Sequence, residues 1–232
     1  MTLMFTRLKT SPGLRKGTMQ HKIKFCISLI LSLFVSLLIH SPLEGAVIDH
    51  NVLPYKKKLK EKILGGEIFS ESKVKSSTLV ENGVMSEIQE LHFTIAGLHP
   101  KSCEYALKKL SLYENYSSFL DFVKESRYDE ATQGINFLLS HPLLPYEMRL
   151  IFKLPRIEKP GVYPFTFDIG ILKNLKGNIY AIEHNKRCLF YTKADWEGAH
   201  TNFPNIVFEL FSQTLSKLTM ERLFRISNTL SH

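Results

Sequence analysis

The chain has 232 residues, 44% of them hydrophobic and 22% charged, the proportions of a globular protein rather than a disordered or fibrous one. Its net charge of +8 is unevenly placed: six of the 30 basic residues but only one of the 22 acidic ones precede Val47, so the remainder carries 24 against 21, a net +3. So balanced a remainder removes the electrostatic case for a nucleic-acid partner, which needs a dense basic face to displace counterions.

Taken in chain order, residues 1–46 have the layout of an export signal. Phe25 to Ile39 is a run of 15 residues without a charge, preceded by Lys22 and Lys24 and followed by Ser41-Pro42. A bilayer crossing needs roughly 20 apolar residues, so cleavage near Ala46 is the expectation. Glu44 departs from the small residue that cleavage sites favour three positions before the cut, which keeps an uncleaved anchor as the alternative. The expected location is therefore exported, periplasmic or secreted, or else membrane-anchored. Residues 47–85 read as a polar linker or arm, with a Lys56-Lys57-Lys58 run, Gly65-Gly66 and a Ser-rich stretch. Its lysines are expected to be solvated, with contact to an anionic membrane surface as the other role.

Residues 86–232 are expected to form one domain. Leu91, Phe93 and Ile95 alternate with His92 and Thr94, the period of a strand with one buried face. A helix follows from His99-Pro100, carrying Cys103, Ala106, Leu107 and Leu110 at helical spacing, then a second short helix over Tyr116 to Val123. Five further strands are predicted at 132–140, 146–154, 162–171, 177–184 and 187–196, separated by Pro, Gly and Asn. Their short connections favour antiparallel pairing. From Pro204 a long helix runs to about Leu230, with Val207, Leu210, Phe211, Leu215 and Leu218 on the stripe expected to cover the sheet. Cys103 and Cys188 either pair in an oxidising compartment or stay as two buried thiols.

This α+β order, a strand, two short helices, a curved antiparallel sheet and a long C-terminal helix, resembles the START-like, helix-grip superfamily of polyketide cyclases and lipid-transfer domains. The stretch Tyr113 to Ser126 (YENYSSFLDFVKES) is similar to that family's passage from helix to strand. The resemblance covers about Ser86 to Leu230 and implies a cavity between sheet and final helix that holds a hydrophobic small molecule or lipid. On that reading the ligand-binding side chains are Phe137, Met148, Leu150, Phe152, Phe165, Phe167, Tyr180, Phe190 and Trp196 from the sheet, with Val207, Leu210, Phe211 and Leu218 from the helix.

Signatures of catalysis are absent: there is no G-x-S-x-G, H-E-x-x-H, paired C-x-x-C or phosphate-binding glycine loop, so no catalytic residue, metal or cofactor is expected. Three functions remain: an exported carrier of a lipid or isoprenoid-like molecule, a cyclase-type enzyme using Tyr180 and His184 in the same cavity, or a protein without a pocket whose Met220–Leu230 end docks on a partner. Two loops stand out. One holds Arg156 and Lys159; the other, Ile171 to Lys176, mixes apolar residues with lysines in a manner suited to a membrane interface or to gating a cavity mouth.

Overall fold

The computed structural model describes residues 53–140, 142, 147–201 and 203–229. The expected signal segment 1–46 lies outside the described residues, as do Asn202 and Leu230. Eight strands form one antiparallel sheet in the order β1-β2-β8-β7-β6-β5-β4-β3. They are β1 (Phe69–Glu81), β2 (Val84–His99), β3 (Val123–Asp129), β4 (Gly134–Leu139), β5 (Met148–Lys153), β6 (Gly161–Ile169), β7 (Lys176–His184) and β8 (Arg187–Ala199). The helices are α1 (Lys57–Leu64), α2 (Cys103–Leu110), α3 (Tyr116–Phe119), entered through a 3-10 turn at Tyr113–Asn115, and α4 (Asn205–Thr229).

Residues 57–81, expected to lie in a polar arm, instead form α1 and the edge strand β1, so the domain begins well before Ser86 and the two short helices follow the second strand. The composition misleads for a physical reason. Ser70, Ser72 and Val74 are buried on the inner face of β1, and two of the three are small polar residues whose hydroxyls bond to α4. Hydrophobic alternation is therefore missing from a strand that is nonetheless paired over 13 positions with β2. The turn between them is Asn82-Gly83, with φ of 53° and 79°. Both values lie in the left-handed region that a two-residue type I′ hairpin demands, which Asn and Gly tolerate best. Strand β3, also absent from the expectations, takes up the end of the predicted second helix and pairs with β4.

Strict alternation sorts the remaining strands into two faces. Inward lie Leu91, Ile135, Phe165, Phe190, Ala194 and Trp196, under α2 and α4. Outward lie Ala96, Leu98, Ile182, Leu189 and Tyr191, covered by Leu53 and Ile63, which are 1% and 0% exposed, with Tyr55, Leu59 and Leu64 beside them. The α1 segment is thus a strap that makes a second core on the outer side of the sheet. The lysines of α1 point away from that contact and are exposed at Lys57 and Lys58.

The two cysteines are joined. Cys103, the first residue of α2, forms a disulfide with Cys188 at the start of β8, their Cα atoms 4.5 Å apart across 85 residues of sequence. Closing a loop of that length restricts the unfolded chain by an amount worth roughly 4–5 kcal/mol in the chain-entropy account. The same helix end is capped by Glu183, whose carboxylate accepts from the Cys103 N–H at 2.8 Å.

Helix α4 meets the edge strand β1 through polar side chains, so only part of the expected stripe faces the sheet. Glu209 accepts from the Val74 N–H at 2.7 Å and Gln213 donates to the Ser70 carbonyl at 2.6 Å. Ser212 and Ser216 bond to Ser72 and Ser70 at 2.7 and 2.9 Å. These groups satisfy the unpaired rim of the edge strand, a rim that otherwise invites pairing with another chain. Leu210 and Leu218 in consequence face outward and are 57% and 53% exposed, while Val207 is 47% exposed. Further along, Gly97 lets the helix come close: a Cβ there would sit 2.8 Å from Met220 Sδ and 3.1 Å from Phe224.

Candidate ligand cavity

Between the inner face of the sheet and α4 is a cavity of about 490 Å³. Its walls are built by period-two alternation on five strands: Leu91, Phe93 and Ile95 of β2, Phe137 and Leu139 of β4, Met148, Leu150 and Phe152 of β5, Phe165 and Phe167 of β6, Phe190 and Ala194 of β8. Tyr116, Leu120, Phe122 and Val123 close one side, and Ile171, Leu172 and Leu175 of the β6–β7 loop close another. The helix contributes Val207, Phe208, Phe211, Leu215, Met220, Leu223 and Phe224. Many of these residues are only half-buried although they face inward, because they border open space instead of one another. Interlocked rings would have brought their exposure close to zero.

The wall offers almost no polarity to a guest. The lining hydroxyls of Ser212, Ser216 and Thr219 donate to carbonyls of their own helix or to the serines of β1. Tyr116, the one phenol in the lining, donates to the Leu110 carbonyl at 2.7 Å, and burial raises its pKa far above the ordinary tyrosine value. With their protons donated internally these hydroxyls offer a guest no free donor, and no charged side chain among the described residues is in the lining. Among the described residues no cluster of three or more His, Cys, Asp or Glu is placed to hold a metal ion.

Nine of the thirteen side chains expected to bind a ligand line this space: Phe137, Met148, Leu150, Phe152, Phe165, Phe167, Phe190, Val207 and Phe211. Four do not. Tyr180 lies on the outer face, its ring 5.3 Å from Tyr191 beneath the α1 strap. Its strand has Ile179 and Ala181 inward, so the parity that seemed open is set against it. Trp196 has the inward parity but is consumed as core: its ring packs edge-on against Phe208 and its Nε1 donates to the Lys173 carbonyl at 2.9 Å. Leu210 and Leu218 sit on the outward side of α4 for the reason given above. His184, which shares the parity of Tyr180, does not line the cavity either.

Of the two loops, Ile171–Lys176 turns its apolar residues inward as wall and leaves Lys173 exposed. Arg156 is a structural clamp. Its guanidinium donates to Glu130 at 2.6 Å, to the Ser111 carbonyl at 2.6 Å and to Glu114 at 3.1 Å, and lies 4.4 Å above the Tyr128 ring. Among the lining residues missed by sequence reasoning were Leu91, Phe93, Ile95, Tyr116, Phe208, Met220 and Phe224. The alternation at Leu91–Ile95 was a usable signal for three of them, and Met220 and Phe224 were read as part of an end that docks on a partner.

A curved antiparallel sheet in this strand order, short helices after its second strand and a long C-terminal helix across it define the START-like, helix-grip fold, and the chain has that fold. Solved structures similar to it include a protein of Thermus thermophilus, at 11% identity over 61% of this chain and 99% of that one, with a TM-score of 0.51. A conserved protein of Geobacillus kaustophilus is similar at 13% identity over 61% and 97%, also with a TM-score of 0.51. A START superfamily protein of Mycobacterium smegmatis aligns at 11% identity over 60% and 99%, with a TM-score of 0.48. No protein-family model and no curated protein matches the chain.

Proposed function

We propose that this protein binds a hydrophobic small molecule, lipid or isoprenoid-like, in the cavity between sheet and C-terminal helix, and carries it outside the cytoplasm. One observation carries the reading: about 490 Å³ of space walled by aliphatic and aromatic side chains, with the hydroxyls of the lining already bonded within the protein. Filling such a space with apolar atoms gains roughly 25 cal/mol for each Å² withdrawn from water, whereas a polar guest would lose its hydration without replacement. A head group, if the ligand has one, belongs at the rim, where Val207 is both wall and surface and Ile206 beside it is 66% exposed. That apolar rim is also where contact with a membrane surface would let a ligand enter without crossing water. Export rests on the apolar run Phe25–Ile39 and its basic flank.

A catalytic reading finds less support, since Tyr180 and His184 are outside the cavity. The partner reading is weakened because Met220, Leu223 and Phe224 border the cavity instead of facing away. The test is extraction of the purified, folded protein with organic solvent followed by mass spectrometry. The expected result is a stoichiometric apolar molecule, or its uptake when the protein is incubated with mixed lipid. Repeated recovery of nothing, with no uptake, would remove the carrier reading.

A further inference from the structure

A second space, of about 210 Å³, lies beneath α2 and is walled by Leu107, Ile135, Leu154 and Ile157 among others. It shares four side chains with the main cavity: Leu110, Tyr116, Phe137 and Phe152. The three rings are in contact and form a partition, Phe137 stacking on Tyr116 at 5.7 Å and meeting Phe152 edge-on at 5.5 Å. Two of its leaves are held in place. Tyr116 is tied through its hydroxyl to the Leu110 carbonyl, and Phe152 is backed by Phe167 at 4.7 Å. Phe137 lies between these two rings, borders both spaces and has no polar tether. The inner space is also lined chiefly by apolar side chains, and the Tyr113 hydroxyl on its wall donates to the Pro155 carbonyl at 3.0 Å.

We infer that the inner chamber receives the terminal part of a flexible, chain-like apolar ligand that passes Phe137, so that the depth of this chamber sets the preferred chain length. The inference rests on the carrier reading and narrows its ligand class: a linear chain slips past one displaced ring, while a rigid fused-ring molecule stays in the outer cavity. Each methylene that reaches the inner chamber should tighten binding about fourfold, the equivalent of ~0.8 kcal/mol per buried CH₂. Chains too short to reach the partition should gain nothing from it.

The test uses the purified, disulfide-intact protein, stripped of bound lipid, and a homologous series of straight-chain fatty acids competing with a fluorescent fatty acid. Wild-type affinity is expected to climb with length and then level off. Ile135→Phe, which fills the inner chamber, should weaken the longest members about tenfold or more, two methylenes or more at the figure above, and leave the shortest unchanged. Phe137→Ala, which removes the middle ring of the partition, should move the levelling-off to longer chains; it provides the reading if the overpacked variant does not fold. Variants that alter all lengths by one factor, or leave the profile unmoved, overturn the inner-chamber inference while the carrier reading stands. Absence of binding by any chain to the wild-type protein overturns the inner-chamber inference, whereas the carrier reading falls only if solvent extraction and uptake from mixed lipid also fail.

Discussion

His99 is fully buried at the end of β2, and both of its ring nitrogens are engaged. The Lys101 N–H donates to Nδ1 at 3.1 Å, which fixes the proton on Nε2, and this in turn faces Ser227 Oγ at 2.9 Å. Burial holds its pKa below the ordinary histidine value, and the charge of Lys101 acts in the same direction. Protonating Nδ1 would set two donors against each other inside the core. Because the folded-state pKa is the lower one, the stability this residue contributes is complete above about pH 6.5 and is lost as pH falls through the folded pKa. Urea unfolding from pH 8 down to pH 5 should therefore show a loss of stability that His99→Gln makes shallower, since glutamine can keep both hydrogen bonds without titrating. Parallel profiles for the two proteins would refute this role. Nothing about the single letter His99 announced it: an isolated histidine beside a proline becomes a latch only when a helix residue 128 positions later closes over it.

At the scale of elements, α4 shows how a helix can be read correctly in extent and wrongly in orientation. Its span from Asn205 to Thr229 agrees with the sequence, because Pro204 suits the start and no breaker interrupts it. Its faces were assigned only in part, because the side turned to β1 is polar while Phe208, Phe211 and Leu215 face the cavity. Burying serines, Glu209 and Gln213 is favourable only where partners exist, and here the open edge of β1 supplies them. Glu209→Leu should cost about 1.5–3 kcal/mol in chemical denaturation, since the Val74 N–H loses a charged acceptor in a half-buried place. Leu218→Ala, on the exposed side, should change stability little by comparison; equal losses for the two would reverse the assignment of faces.

For the whole molecule, the sheet is covered on both sides, by α4 and α2 within and by the α1 strap without. The strap converts a segment of lysines and glycines into a structural layer by setting a few apolar residues against Ala96, Leu98, Ile182 and Leu189. Ile63→Ala should destabilise the protein by roughly 2–4 kcal/mol, as truncations of fully buried aliphatic residues do, with a matching fall in Tm. An arm that merely tethers would leave Tm unmoved. Lys57→Ala, on the solvated side of the same helix, serves as the control.

The strands from β4 to β8, their antiparallel order and the inward parity of Phe137, Met148, Leu150, Phe152, Phe165, Phe167 and Phe190 were legible in the residues alone, because alternation is a property of the extended backbone and is written into every second residue. Tertiary structure alone decided which side of α4 is buried, that Cys103 meets Cys188, that Tyr180 lies under a strap and Trp196 in the core, and that space remains between the aromatic rings. Each of these depends on how closely elements distant in sequence approach. A polar face is buried when a strand edge answers its hydrogen bonds, and a void persists when the surrounding frame holds its walls apart, and neither condition is local.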